Sequence, residues 1–170
     1  MICPSCGHDN IEGMDRCENC MKPLRDLDVP RADATRGLAR SVMEDDLREL
    51  EFEETLTVGP EASALSAIGL MKQAQVGCVL VVDRGKLVGI FTEHDVLCKM
   101  TGAEARAGET KVSELMSAHP ESLRETDSVA AALNKMAMGR YRHVPFRKGD
   151  GTYGVASIKH VLKYIAQEDW

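Results

Sequence analysis

The chain has 170 residues, of which 44% are hydrophobic and 28% charged, so it has enough apolar residues for one or two packed domains. Its 27 acidic residues outnumber its 21 basic residues, which argues against a broad electrostatic nucleic-acid binder. Apolar runs such as 78–82 are far shorter than the roughly 20 residues of a membrane span. The first residues carry no secretory signal, so we expect a cytoplasmic protein without a membrane segment.

The first predicted element is a metal site in residues 1–24. Four of the six cysteines lie there as two C-x₂-C pairs, namely Cys3, Cys6, Cys17 and Cys20. Two residues between thiols allow both sulfur atoms to reach one ion, and four thiolates bind zinc tetrahedrally. So short a segment has no apolar core, which favours a metal ion over two disulfides or unrelated thiols. The segment resembles a zinc ribbon of the rubredoxin-knuckle type, and iron is the alternative metal.

The charge of this ribbon bears on its partner. Arg16 and Lys22 are its only basic residues, and they stand against four acids. A net acidic surface binds phosphate groups poorly. The composition therefore favours contact with an unidentified protein, or a structural role, over DNA binding. Residues 25–46 follow as a linker that is partly helical, because apolar residues from Leu38 to Leu50 lie near one stripe.

The remainder of the chain is an internal duplication. Shifting the sequence by 65 residues aligns 47–100 with 112–165 without a gap and gives nine identical pairs, among them Ser63/Ser128 and Gly89/Gly154. Such self-similarity is typical of repeated structural units. We expect repeat one over about 47–103 and repeat two over about 112–168, within a domain of residues 47–170.

Each repeat is predicted to have the order β-α-β-β-α. In repeat one a short strand at 56–58 precedes a helix whose inner face carries Ala64, Leu65, Ile68 and Met71. A buried strand at 78–82, a turn and a second strand at 87–91 form a hairpin. A last helix begins near Thr92 and ends near Met100. The fold class is therefore mixed α and β, built from two repeats beside the small ribbon.

The strand-to-helix junction of repeat one is the predicted ligand site. The run 89–95 places Thr92 after a strand and Asp95 three residues later, at a helix start. One interpretation is a capping box, in which the two residues only stabilise the helix. The other is a phosphate site, because free N–H groups at a helix start attract anions and a carboxylate can accept two bonds from a ribose diol.

At these residues the chain resembles a CBS-domain pair, also called a Bateman module. The resemblance covers about residues 47–168 and includes the duplication, the element order and the strand–Gly-x-x-Thr/Ser-x-x-Asp–helix pattern. It implies that two repeats form a disc-like unit whose clefts bind AMP, ADP, ATP or S-adenosylmethionine. It also implies that Thr92 contacts phosphate, that Asp95 binds the ribose, and that Val79 and Leu80 lie beside the base.

Repeat two departs from this pattern. It keeps the hydroxyl residue as Ser157, but His160 stands where the acid is expected, so its cleft is predicted to bind more weakly or to take another ligand. It also brings a basic stretch at 135–148, which is either a solvated face or a source of phosphate contacts. The resemblance favours three residues just before its buried strand as phosphate contacts, namely Arg140, Arg142 and His143.

These patterns together predict a regulatory ligand sensor and not an enzyme, because no nucleophile–base pair or Gly-rich phosphate loop is evident. The CBS pair would bind an adenine nucleotide, and the metal ribbon would pass the signal to a partner. A DNA-binding transcription regulator and a small iron-binding redox protein are the alternatives. The resemblance implies a homodimer formed through helices, with Leu133, Met136 and Met138 as contributors. Cys78 and Cys98 are expected to be buried and inert.

Overall fold

The computed structural model of the chain describes residues 2–3, 5–11, 14, 16–24, 38–100 and 108–167. It divides into two compact units. The first-repeat unit is Glu54–Pro120, and the second-repeat unit joins Met1–Glu53 to Glu121–Trp170. Parts of the predicted linker and repeat ends, at 25–37, 101–103 and 168–170, lie outside the described residues.

The described helices and strands contain the predicted order β-α-β-β-α twice, with additional short elements before each copy. In chain order they are α1 (Leu38–Glu44), β1 (Thr57–Val58), α2 (Ala64–Ala74), β2 (Cys78–Asp83), β3 (Lys86–Thr92), α3 (Glu93–Lys99), α4 (Val112–Leu115), β4 (Ser117–Ala118), β5 (Leu123–Arg124), α5 (Val129–Gly139), β6 (His143–Arg147), β7 (Tyr153–Ser157) and α6 (Ile158–Gln167). A 3₁₀ turn at Leu47–Glu49 follows α1. Each repeat thus contains a parallel strand pair and a hairpin, with helices before and after the hairpin.

The sheet of the first-repeat unit has the strand order β1-β2-β3-β4. β1 runs parallel to β2, with Val58 opposite Val81, and β3 is antiparallel to both β2 and β4. The hairpin turns at Arg84 and Gly85, whose φ angles of 48° and 77° are both positive. Two positive φ angles give the turn a twist that matches the twist of the strands, which explains the two-residue connection.

The helix α2 covers this sheet with one apolar face. Ala64, Ala67 and Met71 are buried and Ile68 is partly buried, at the i, i+3, i+4, i+7 spacing of an amphipathic helix. The expectation that Leu65 shares this face is wrong, since its side chain is 57% exposed. Adjacent helical residues point about 100° apart, so Leu65 lies beside the buried stripe and not on it.

The second-repeat unit repeats the arrangement with the strand order β5-β6-β7. Leu123 lies opposite Phe146 in its parallel pair, 65 positions beyond the Val58–Val81 pair of the first-repeat unit. Its core is formed by β6, β7 and the apolar faces of α5 and α6, with Phe146, Val129 and Val161 fully buried or nearly so. The two units therefore share the same strand pairing, at positions that the sequence duplication makes equivalent.

The first residues of each repeat, called here its leading segment, pack on the core of the other repeat. Leu47 and Leu50 lie in the leading segment of repeat one, yet they are buried in the core of the second-repeat unit. Val112 lies in the leading segment of repeat two and is buried in the core of the first-repeat unit. Backbone bonds fix both segments in equivalent registers, from Val129 N to Asp45 O at 2.9 Å and from Ala64 N to Thr110 O at 2.8 Å. Each core therefore combines residues from both repeats.

Candidate functional site

The helix start in the first-repeat unit is a complete capping box. The N–H and the hydroxyl of Thr92 donate to Asp95 Oδ2 at 3.0 and 2.7 Å, and Asp95 N donates to Thr92 Oγ1 at 3.3 Å. This arrangement satisfies N–H groups that have no partner within the helix α3. The capping interpretation of the sequence is therefore realised by the structure, whereas the ligand-binding role of the same two residues stays a prediction.

The second oxygen of the Asp95 carboxylate also has partners. Lys99 Nζ donates to Asp95 Oδ1 at 2.8 Å, and Ser117 Oγ donates to the same atom at 3.3 Å. The residue is only 3% exposed. Ser117 belongs to the leading segment of repeat two. The packing of that segment on the first-repeat unit therefore supplies a hydrogen-bond donor to Asp95. Both carboxylate oxygens thus have two donors, so a diol that bound Asp95 would have to replace one of them.

The helix start in the second-repeat unit uses an imidazole in place of the acid. Ser157 N donates to His160 Nδ1 at 3.2 Å, and His160 N donates to Ser157 Oγ at 3.4 Å. His160 Nε2 pairs with the carboxylate of Glu53, which lies on the leading segment of repeat one. The hydrogen bond from His160 lowers the pKa of Glu53. Phe52 packs edge-on against the imidazole, with ring centroids 5.1 Å apart.

The other predicted nucleotide contacts divide between the two units. Val79 and Leu80 are fully buried in β2. Arg140 ends α5 with a left-handed φ of 54°, and its side chain and that of Arg142 are exposed. His143 is partly buried at the start of β6. Exposure of both arginines is compatible with phosphate contacts and with a solvated face, so their roles stay predictions.

The four ribbon cysteines meet at one point, as the spacing predicts. Their sulfur atoms all lie within 4.8 Å of one another. The Sγ atoms of Cys3 and Cys20 lie 3.6 Å apart, and those of Cys6 and Cys17 lie 3.5 Å apart. A tetrahedral zinc ion with Zn–S bonds of about 2.3 Å requires sulfur atoms about 3.8 Å apart. The cluster therefore fits a single tetrahedral ion.

The two cysteine pairs are held by turns of the same backbone geometry. Gly7 N donates to Cys3 O at 2.8 Å and Met21 N donates to Cys17 O at 2.9 Å, and the φ angles of Gly7 and Met21 are 75° and 59°. Asn10 links the turns, because its side chain donates to His8 O and accepts from Glu18 N, both at 2.9 Å. Met21 adopts a backbone conformation that favours glycine, so the second turn keeps the geometry of the first at the cost of some backbone strain.

The thiols influence one another's ionisation. Burial opposes ionisation of Cys17, but hydrogen bonds from the backbone of Cys20 and Asn19 and from neighbouring thiols lower its pKa to about 6. Burial raises the pKa of Cys20 to about 12. A thiolate repels a second thiolate nearby, so ionising one thiol makes it harder to ionise the next. A divalent cation bound between the sulfur atoms would offset this repulsion. Four protein ligands leave no open coordination position, so a zinc ion there would crosslink the turns without supplying catalytic chemistry.

Three side chains near these sites were not expected from the sequence. Ser117 and Glu53 contact the helix-start residues from leading segments, and no motif in the repeat alignment marks them. Cys98 was expected to be buried and inert, but it is exposed and its Sγ lies 3.5 Å from His94 Nε2. Asp95 is the buried residue of α3, whereas Cys98, one turn later, is exposed. Cys78 is buried, as expected.

Comparison with known proteins identifies the repeats. A model of the CBS domain matches residues 39–102 and 112–167. The chain is 33% identical over 105 residues to the CBS domain-containing protein YhcV of Bacillus subtilis, over 62% of this chain and 74% of YhcV. It is 30% identical over 116 residues to the meiotically up-regulated gene 70 protein of Schizosaccharomyces pombe, over 68% of this chain but only 16% of that protein. Neither range of the family model includes the ribbon.

Solved structures share the fold of the pair. A CBS-domain containing protein from Agrobacterium tumefaciens is 32% identical, with a TM-score of 0.59 over 65% of this chain and 88% of its own. CBSX2 in complex with AMP is 21% identical, with a TM-score of 0.54 over 74% of this chain and 93% of its own. The CBS domain pair of MJ0100, in complex with 5′-methylthioadenosine and S-adenosyl-L-methionine, is 19% identical, with a TM-score of 0.62 over 72% and 96%. At those two identities the likeness shows the fold alone. In the part of this chain that the structure describes, every helix is too short or too polar to cross a bilayer.

Proposed function

Because the chain belongs to the CBS domain family through both of its repeats, we propose that it is a regulatory protein whose repeat pair binds an adenine nucleotide. AMP, ADP, ATP and S-adenosylmethionine are the candidate ligands. The observation that carries this proposal is the duplicated junction at which a strand ends on Thr92 or Ser157 and a helix begins. The adenosine ligands of CBSX2 and of the MJ0100 pair support the ligand class.

Thr92 contacts phosphate in this proposal, and Asp95 binds the ribose after exchanging one of its present donors. Lys99 is the donor that can leave at least cost, because its side chain is 41% exposed and its ammonium regains water. Val79 and Leu80 border the base. In repeat two Ser157 and His160 form a weaker site.

The three residues before the buried strand of repeat two supply phosphate contacts. Guanidinium groups present paired N–H donors that match phosphate oxygens, and the exposed Arg140 and Arg142 keep those donors accessible. His143 adds a ring nitrogen at the start of β6. The role is regulatory and not catalytic, because these groups bind and orient a phosphate and provide no nucleophile.

The ribbon binds one zinc ion through its four cysteines and transmits the ligand signal to a protein partner. Four thiolates that must remain free to bind metal suit a reducing compartment, which supports a cytoplasmic location. The protein forms a homodimer through helices α3 and α6. The equivalent residues Leu97 and Leu162 support this, since they are 70% and 59% exposed. Met138 is also exposed, whereas Met136 is buried in the core and cannot contribute.

Thermal unfolding of the full chain with each of the four candidate ligands tests the ligand proposal. A ligand at 100 times its Kd stabilises the folded state by about 2.7 kcal/mol, which raises the Tm of a unit of this size by about 5–15 °C. Asp95→Ala should abolish this ligand-dependent rise, whereas His160→Ala should leave most of it. If no nucleotide at millimolar concentration moves the Tm of the wild-type protein, the ligand proposal is wrong.

Elemental analysis tests the proposed zinc site, and light scattering tests the proposed homodimer. One equivalent of zinc should co-purify with the protein, and Cys6→Ser should remove it. A red-brown protein that contains iron would replace zinc by iron in the proposal. Light scattering should give the mass of a dimer at micromolar concentration, and Leu97→Lys should shift it toward a monomer. A wild-type monomer across that range would refute the homodimer.

A further inference from the structure

The ribbon contacts the body of repeat two directly. The guanidinium of Arg124, in β5, donates from Nη2 to Ile2 O at 2.6 Å. Ile2 precedes the metal ligand Cys3 and pairs with Asp9 across the first cysteine turn. The carbonyl that Arg124 binds is therefore held in place by the same backbone pairing that closes the first turn of the metal site.

A largely buried ion pair involves Glu121, three residues before Arg124. Lys135, in α5, is only 2% exposed, and its Nζ lies 2.8 Å from Glu121 Oε2. The corresponding positions of repeat one, 65 residues earlier, are Leu70 and Leu56. Since repeat one has apolar residues at both positions, the repeat fold does not itself require this pair. Burying a charged amine is costly without a partner, and Glu121, whose side chain is 27% exposed, supplies that partner in repeat two.

Lys22 connects this pair to the metal site. Burial lowers the pKa of Lys22, whereas the nearby charges of Cys20 and Glu121 raise it. Lys22 is therefore close enough to Cys20 and to Glu121 for their charges to act on it. A zinc ion with four thiolates would carry a net charge of about −2, which the Lys22 ammonium would partly offset, since Glu121 already pairs with Lys135. Without the ion, the apolar cluster of Leu24 with Cys3 and Cys17 is too small to hold the two turns in place.

We propose that metal binding docks the ribbon onto repeat two, through a docking surface formed by Ile2 and Lys22 on the ribbon and by Glu121, Arg124 and Lys135 on the repeat. The ribbon is then a metal-dependent clamp that acts on its own chain, and its loss of metal loosens β5 and α5. This inference rests on the proposed metal site and extends it, because it names the surface that responds to the metal. It is independent of the nucleotide proposal.

Hydrogen exchange of the full chain, with and without one equivalent of Zn²⁺, tests the clamp. Zinc should slow amide exchange across 121–139 by about tenfold, which is the stabilising effect expected of one hydrogen bond to a charged group. Exchange across 54–100 in the first-repeat unit should not change. Zinc stoichiometry is measured on the same samples by elemental analysis. If zinc binds and exchange across 121–139 stays the same, the clamp is refuted and the metal site stands.

Variants separate docking from metal binding. Arg124→Gln should keep one equivalent of zinc but lose the zinc-dependent protection of 121–139. Arg147→Gln, an equal charge change on the neighbouring strand β6, should keep both and serves as the matched control. The double variant Glu121→Leu/Lys135→Leu copies the residues of repeat one, so it should fold, bind zinc and lose the protection. If both variants keep full protection, the docking surface is wrong. If no preparation binds zinc, the metal site and the clamp are both refuted.

Discussion

Replacing Asp95 by alanine should destabilise the protein even without a ligand. The carboxylate is buried and accepts four hydrogen bonds, two from Thr92 to Oδ2 and one each from Lys99 and Ser117 to Oδ1. Its loss removes the acid of the capping box and leaves the hydroxyl of Thr92 without its acceptor. The substitution therefore acts on the helix α3 and on the segment that carries Ser117 at the same time.

The magnitude follows from these contacts. Loss of the capping acid costs about 1 kcal/mol. The bonds from Lys99 and Ser117 add about 1 kcal/mol, because the Lys99 side chain is 41% exposed and water screens much of its attraction. The total of about 2 kcal/mol should lower the Tm by about 5–15 °C. His160→Ala removes longer bonds of 3.2 and 3.4 Å in the equivalent cap and should cost only about 0.5 kcal/mol.

Urea unfolding followed by far-ultraviolet circular dichroism measures both changes, with the midpoints compared at constant slope. Asp95→Ala should lower the free energy of unfolding several times more than the matched control His160→Ala. Hydrogen exchange should place the loss of protection in α3 and β4. A cost below about 0.5 kcal/mol, or a cost equal to that of His160→Ala, would show that the buried network contributes little beyond an ordinary cap.

The remaining predictions concern the ribbon, the two isolated thiols and acid stability. Met21→Gly should strengthen zinc retention in a chelator competition, because it relieves about 0.5–1 kcal/mol of strain at a φ of 59°, and weaker retention would contradict this. Iodoacetamide at pH 8 should modify the exposed Cys98 and spare Cys78, whose pKa burial raises to about 12; peptide mass spectrometry reads the result, and equal labelling would be contrary evidence. The hydrogen bond from His160 lowers the pKa of Glu53 below its ordinary 4.5, so the stability it contributes is present above that pH and is lost on acidification. Glu53→Gln should therefore flatten the pH dependence of the unfolding midpoint below pH 4.5, and an unchanged profile would refute the pairing.

Local patterns in the sequence were enough to predict the convergence of the four cysteines and the elements of each repeat. The C-x₂-C spacing brings sulfur atoms together because a turn of two residues has few conformations, and the four thiols do converge. The apolar run at 78–82 and the turn after it predicted the β2–β3 hairpin, since neighbouring residues determine such a hairpin. The family of the repeats followed from the same patterns, and the family model covers both.

The contacts of the helix-start residues could not be read from these patterns. His160 caps its helix through Nδ1 although an acid was expected there, because an imidazole nitrogen can also accept a backbone N–H. Its partner Glu53 and the Asp95 partner Ser117 lie on segments far away in the sequence. The exposure of Cys98 likewise depends on which face of a short helix meets the core, and a seven-residue helix shows too little periodicity to decide this.

The exchange of leading segments is the feature that tertiary structure alone decides. Leu47 and Val112 occupy equivalent positions of the duplication, and both are apolar. The two cores offer equivalent sites, so the sequence pattern is satisfied whether each segment packs on its own repeat or on the other one. Backbone bonds such as that from Leu47 N to Asp127 O, at 3.0 Å, commit each segment to the other core. The duplication thus determined that each core receives an apolar leading segment. The path of the folded chain determined which repeat that segment comes from.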